Sequence, residues 1–176
     1  MTHTPWLRRR DRHSGSGFSL LETLFALLIL TSVAVGVLPL GIIAIRTTEN
    51  QGHLMARTTE YAQDKMEQLL ALAYGDEQSD TRVFPAVNVG GSGLAVGGSA
   101  DPAAPVNLYV DYLDVDGNFL PGVAPANWYY RRVWQITQPR PELKQITVTA
   151  IVRAAAAGGA GLIPRSTVSA LKSNPF

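Results

Sequence analysis

From Phe18 to Ile45 the chain carries 28 consecutive residues with one charged side chain, Glu22. No other feature of the 176 residues limits the fold as strongly. About twenty apolar residues in helical form cross the hydrocarbon core of a bilayer, so this run spans one with tilt or length to spare. The rest of the sequence is of ordinary polarity. The expected organisation is one membrane-type helix followed by one modest domain.

What precedes the run sets its direction. Residues 1–17 are polar and basic, with Arg8, Arg9, Arg10 and Arg12 opposed only by Asp11, and they end in His13-Ser14-Gly15-Ser16-Gly17. A secretory signal places its small residues after the apolar core. Here they come before it, so a cut after Gly17 keeps the helix. The arginines predict that the N-terminal side stays cytoplasmic and that the C-terminal region faces the periplasm or the outer surface. Without residues 1–17 the chain keeps 11 basic and 13 acidic side chains, a balance of −2. That balance argues against nucleic acid as a partner. The absence of cysteine excludes a disulfide framework and a thiolate metal site.

Glu22 is the anomaly. A carboxylate inside a membrane segment costs a few kcal/mol, about 3 on insertion scales, and marks a functional position unless it reaches water at the interface. Cleavage after Gly17 creates a cation to match it, the amine of Phe18, four residues earlier. Pairing that amine in one subunit with Glu22 of a neighbour makes the charge tolerable.

These residues carry a family likeness. Gly17-Phe18-Ser19-Leu20-Leu21-Glu22-Thr23-Leu24-Phe25-Ala26-Leu27-Leu28 resembles the N-terminal signature of type IV prepilins and type II secretion pseudopilins. Ser19 stands where many members have threonine. The resemblance implies cleavage between Gly17 and Phe18 by a prepilin peptidase, N-methylation of Phe18, and an assembly role for Glu22. It implies further partners: other pilins or pseudopilins met through the N-terminal helix, an inner-membrane assembly platform, and lipid before assembly. The implied fold is α+β, a long N-terminal helix packed on a small antiparallel sheet.

Pro39 lies in the second half of the run. It leaves the carbonyl of Val35 without a helical donor, so a kink is expected there; the family also has a proline at this position. Residues 18–45 are therefore read as the transmembrane or filament-core helix. Residues 46–74 follow as an amphipathic helix, with Leu54, Thr58, Tyr61, Ala62, Met66, Leu69 and Ala73 on one face. Arg57, Glu60, Asp64, Lys65, Glu67 and Gln68 are expected to be solvated. Helix from Phe18 to Tyr74 would measure roughly 85 Å. Gly75 is a natural stop. The stretch from Thr59 to Leu69 resembles minor pilins and pseudopilins.

Residues 75–105 are rich in Gly, Ala, Ser and Pro and read as a connecting loop or poorly ordered segment. Residues 106–176 read as the sheet domain. Val106–Leu113 is a strand with Val106, Leu108, Val110 and Tyr112 on one side. Trp128–Thr137 sets Tyr130, Arg132, Trp134 and Ile136 on one side. Leu143–Arg153 sets Ile146, Val148 and Ala150 against Gln145, Thr147, Thr149 and Ile151. Ser166–Leu171 is a short fourth strand, with the turn Ala154–Gly161 before it. Tyr129–Gln135 and Leu143–Arg153 also resemble the sheet of minor pilins of the pilus-modification type.

Asp114-Val115-Asp116-Gly117-Asn118 has oxygen ligands at alternate positions, as a calcium loop begins. The closing glutamate is missing, position twelve being Pro125, and Asp-Gly is tight-turn chemistry. A turn is expected, with a calcium site on Asp114, Asp116 and Asn118, completed by Asp111 or by a remote residue, as the alternative. Tyr129, Tyr130, Arg131, Arg132 and Trp134 include the parts of a base-stacking patch, but strand alternation divides them between core and solvent. No catalytic constellation or cofactor site is legible: His3 and His13 precede Gly17, and His53 lies on the helix beside the membrane. The function expected is that of a minor pilin or pseudopilin, with no enzymatic activity. The alternative is an unprocessed single-pass anchor bearing a binding or enzymatic domain.

Overall fold

The computed structural model describes residues 19–154 and 163–174. One helix, α1 (Leu20–Ala71), is followed by six strands: β1 (Gly97–Gly98), β2 (Val110–Leu113), β3 (Phe119–Leu120), β4 (Tyr130–Arg140), β5 (Leu143–Val152) and β6 (Arg165–Ser173). The architecture is α+β. All strand pairings are antiparallel, in the order β3-β2-β4-β5-β6, with β1 added to β4 beyond the end of β2. The chain divides into two compact units, one ending at Arg46 and the other beginning at Thr47.

Within the second unit the helix from Thr47 to Ala71 covers one face of the sheet. Leu54, Tyr61, Ala62, Met66 and Leu69 form a single core with Trp134, Ile136, Ile146, Val148, Ala150 and Val152. Period 3.6 on the helix meets period 2 on the strands, as the sequence pattern requires. Tyr130, Arg132, Trp134 and Ile136 share the buried side of β4, and Ile146, Val148 and Ala150 that of β5, as expected. Pro39 lies inside α1, which continues on both sides of it.

The structure differs from expectation in five respects. The helix ends at Ala71 rather than Tyr74, and Ala73 is exposed. Lys172 Nζ of β6 donates to Leu70 O in the last turn at 2.7 Å, while Lys144 Nζ of β5 donates to Tyr74 O at 2.9 Å and Leu94 O at 2.8 Å in the loops beyond the helix. α1 has no basic residue of its own in its last turn, so Lys172 supplies the cation its C-terminus favours.

Residues 75–105 are a loop, as expected, but a packed one rather than a poorly ordered segment. Asp80 and Val87 form a bridge, β1 pairs with β4, and Ser79, Thr81, Ser92 and Leu94 are buried. The Gly-rich composition serves close packing. Gly98 sits at φ +79°, and a Cβ there would meet the Trp134 carbonyl oxygen and the Tyr109 ring.

The strand expected from Val106 begins at Val110. Leu108 has φ +69°, and Tyr109 N donates to Val106 O at 3.0 Å, so a turn precedes the strand. The facing is also reversed. Tyr109, Asp111 and Leu113 point to the helix side, where Asp111 meets helix charges and Tyr109 and Leu113 join the core. Lastly, β6 runs over nine residues, further than Ser166–Leu171. The turn expected at Ala154–Gly161 falls, after Ala154, outside the described residues.

Candidate functional site

The residues that carry the sequence signature begin at the edge of the described chain. Gly17 and Phe18 lie outside the described residues. Ser19 opens α1 as its N-cap: Glu22 N lies 3.4 Å from Ser19 Oγ and donates to Ser19 O at 2.9 Å. Ser19-Leu20-Leu21-Glu22 has the spacing of a capping box. That signal was present in the sequence, and it gives Glu22 a local place in the first helical turn. An acidic residue there also suits the positive end of the helix dipole.

From Thr23 to Ser32 the helix hydroxyls bond carbonyls of the same helix. Thr23 Oγ1 donates to Leu20 O at 2.9 Å, Thr31 Oγ1 to Leu27 O at 2.9 Å, and Ser32 Oγ to Leu28 O at 2.7 Å. Such back-bonding is how hydroxyls are accommodated where water is absent. Sixteen large apolar side chains between Leu20 and Ile45 are each more than half exposed, from 54% at Val33 to 81% at Leu20. Burying each contributes about 1.5–3 kcal/mol, so the total exceeds the stability of an ordinary domain. The helix is long and apolar enough to cross a membrane.

The second unit holds a buried ionic cluster that the sequence reading missed. Lys65, expected in solvent, is fully buried. Its Nζ lies 2.8 Å from Asp111 Oδ2, donates to Thr81 O, and sits 4.3 Å above the Trp134 ring. Arg132 holds the same carboxylate with two parallel bonds, Nε to Oδ1 at 2.8 Å and Nη2 to Oδ2 at 2.9 Å. Arg132 Nη1 also donates to Asp64 Oδ2 at 2.8 Å. Two cations and two carboxylates therefore join the helix, β2, β4 and the 75–105 segment.

Burial dominates the titration of Lys65 and pushes its amine down to about 8, with Asp111 opposing. Burial on its own would raise the Asp111 carboxyl; the charges of Arg132 and Lys65 outweigh it and hold the group below its ordinary value. Arg132 is likewise opposed by burial and raised by Asp111. The missed signal was positional. Lys65 lies four residues after Tyr61 and three after Ala62, within the apolar stripe, and Arg132 has the inward parity of Tyr130 and Trp134.

The Asp-Gly segment is a hairpin turn between β2 and β3. Asp114 Oδ1 accepts from Asp116 N at 2.9 Å and Asn118 N at 2.8 Å, and Oδ2 accepts from Asn118 Nδ2 at 3.0 Å. Both carboxylate oxygens thus serve the turn. Gly117 has φ +90°, and a Cβ there would strike the Tyr61 ring. Among the described residues, no group of three or more His, Cys, Asp or Glu side chains is placed to hold a metal ion.

The aromatic–arginine stretch divides as expected. Tyr130, Arg132 and Trp134 are buried against the helix, while Arg131 lies on the other face, 5.2 Å over the Trp128 ring. No family model, curated protein or solved structure matches the chain.

Proposed function

We propose that this chain is a prepilin-like filament subunit, of the minor pilin or pseudopilin kind, and acts through assembly rather than catalysis. The observation that carries the reading is the exposed apolar helix from Leu20 to Ile45 with Glu22 as its one charged residue. A surface of that size needs lipid or like helices around it. The sequence Gly17–Leu28, with its resemblance to the prepilin signature, selects both in turn: lipid first, a helical filament core second.

In this account a prepilin peptidase cuts after Gly17 and the amine of Phe18 is methylated. The mature helix waits in the inner, or cytoplasmic, membrane with its N-terminus on the cytoplasmic side and the sheet domain outside. An assembly platform then transfers it into a type IV pilus or a type II secretion pseudopilus. The charged Phe18 amine of one subunit meets Glu22 of its neighbour, and a paired charge costs far less in the apolar core than a lone one. Ser19 starts the helix so that Glu22 falls in its first turn.

The substitution Glu22→Ala tests this. Membrane insertion, read by carbonate extraction, stays normal, because removing a charge from an apolar helix eases insertion. Incorporation into sheared filaments or pseudopili falls at least tenfold. Undiminished incorporation opposes the reading and favours a single-pass anchor for the outer domain.

A further inference from the structure

The face of the sheet turned away from the helix carries a cleft of about 650 Å³. Its floor is one cross-strand row: Arg131 of β4 pairs with Ile151 of β5, which pairs with Arg165 of β6. The segment at Asp101 and Pro102 forms a wall, and Ile163 adds apolar surface. Arg131 and Arg165 are two strand spacings apart at the backbone, about 10 Å. Their side chains are long enough to converge on one anion above Ile151.

The two arginines lack anionic partners. Among the described residues neither forms an ion pair, and Arg131 Nε is buried without a hydrogen-bond acceptor. A buried N–H donor without an acceptor is costly. Asp101, the carboxylate on the wall, accepts from Ala103 N at 2.9 Å within its own turn. The sequence between β5 and β6 from Ala154 to Leu162 contains no acidic residue that could supply the charge. Trp128 lies just outside the lining, with the Arg131 guanidinium 5.2 Å and that of Arg153 5.3 Å from its ring, and so reports on changes at Arg131.

We propose that this cleft binds a small organic carboxylate with an apolar body, its carboxylate held between Arg131 and Arg165 and its hydrocarbon part resting on Ile151 and Ile163. The volume lies in the range of small-molecule sites, which are mainly apolar with a few fixed polar groups. Arginine forks match carboxylate geometry, and the apolar floor favours such an anion over inorganic phosphate. This inference concerns the outer domain and does not depend on processing at Gly17.

The test uses the full chain in detergent, labelled with 5-fluorotryptophan, with the ¹⁹F signal of Trp128 followed by NMR. Cyclohexanecarboxylate is the probe and cyclohexanecarboxamide the neutral control. The expected result is a saturable shift of Trp128 with the carboxylate and none with the carboxamide. Arg165→Gln, at an exposed edge position, and Arg131→Gln each weaken binding at least tenfold, with Arg165→Gln leaving the melting temperature unchanged. Equal shifts with the carboxamide, or full binding by Arg165→Gln, would overturn the proposal. So would saturable binding of inorganic phosphate at the same affinity. A response to an acidic peptide but not to cyclohexanecarboxylate would replace the small molecule with a protein partner and likewise overturn it.

Discussion

Asp111 is the residue on which most of the buried electrostatics depends, since it accepts from Lys65 and twice from Arg132. Asp111→Asn leaves two buried cations facing each other and is expected to destabilise the sheet domain by about 3–5 kcal/mol. Lys65→Met keeps the Arg132–Asp111 fork and costs less. Urea unfolding followed by tryptophan fluorescence ranks the two; the reverse order would contradict the arrangement. Acid titration probes the same group. Asp111, Asp76 and Asp80 all sit below their ordinary value of 3.8. A carboxyl held low in the fold contributes stability that is complete above the unfolded value and lost as pH falls through the folded one. The melting temperature is therefore expected to hold down to about pH 4 and to drop below it, and to drop less in Asp111→Asn. The cluster was only partly legible in the sequence. Arg132 had the right parity, but Lys65 looked like one charge among several on a helix surface. Nothing local reveals a cation whose partner lies 46 residues away on another element.

At the level of elements, periodicity located α1, β4 and β5 because each is long and buries one face. It failed where backbone geometry takes over. β2 is four residues long, and Leu108 at φ +69° ends the extended chain just before it, so the apparent alternation from Val106 belongs to a turn and then reverses. Residues 75–105 looked loose because glycine is common there, whereas Gly98 is small so that β1 can lie against Tyr109 and β4. The last turn of α1 is bonded by Lys172 from β6, and the loop after it by Lys144 from β5, which no local stop signal reveals. Lys144→Met removes the donor to Tyr74 O and Leu94 O and is expected to cost about 1–3 kcal/mol. Faster amide exchange around residues 72–76 than in the wild type reads this out; unchanged exchange would show that this contact is dispensable. Gly117→Ala forces a side chain into φ +90° and onto the Tyr61 ring, with an expected loss of about 1–3 kcal/mol in the same unfolding assay. A neutral outcome would mean that the β2–β3 turn can relax.

At the scale of the whole molecule, the chain joins a helix half that buries its apolar face against its own sheet to a helix half that exposes apolar residues all round. The first half explains why the sheet domain folds. The second explains what the molecule needs from its surroundings, and the sequence shows this plainly because composition alone makes a membrane-type helix. The two-arginine cleft was not legible there, because it depends on cross-strand register between β4, β5 and β6. The filament reading stands or falls at the junction of Gly17 and Phe18. The deciding experiment is the intact mass of the membrane-extracted protein, from cells with and without a prepilin peptidase. Loss of residues 1–17 together with one added methyl group is expected, only when the peptidase is present. A chain that still begins at Met1, in cells where a known prepilin is processed, would contradict it.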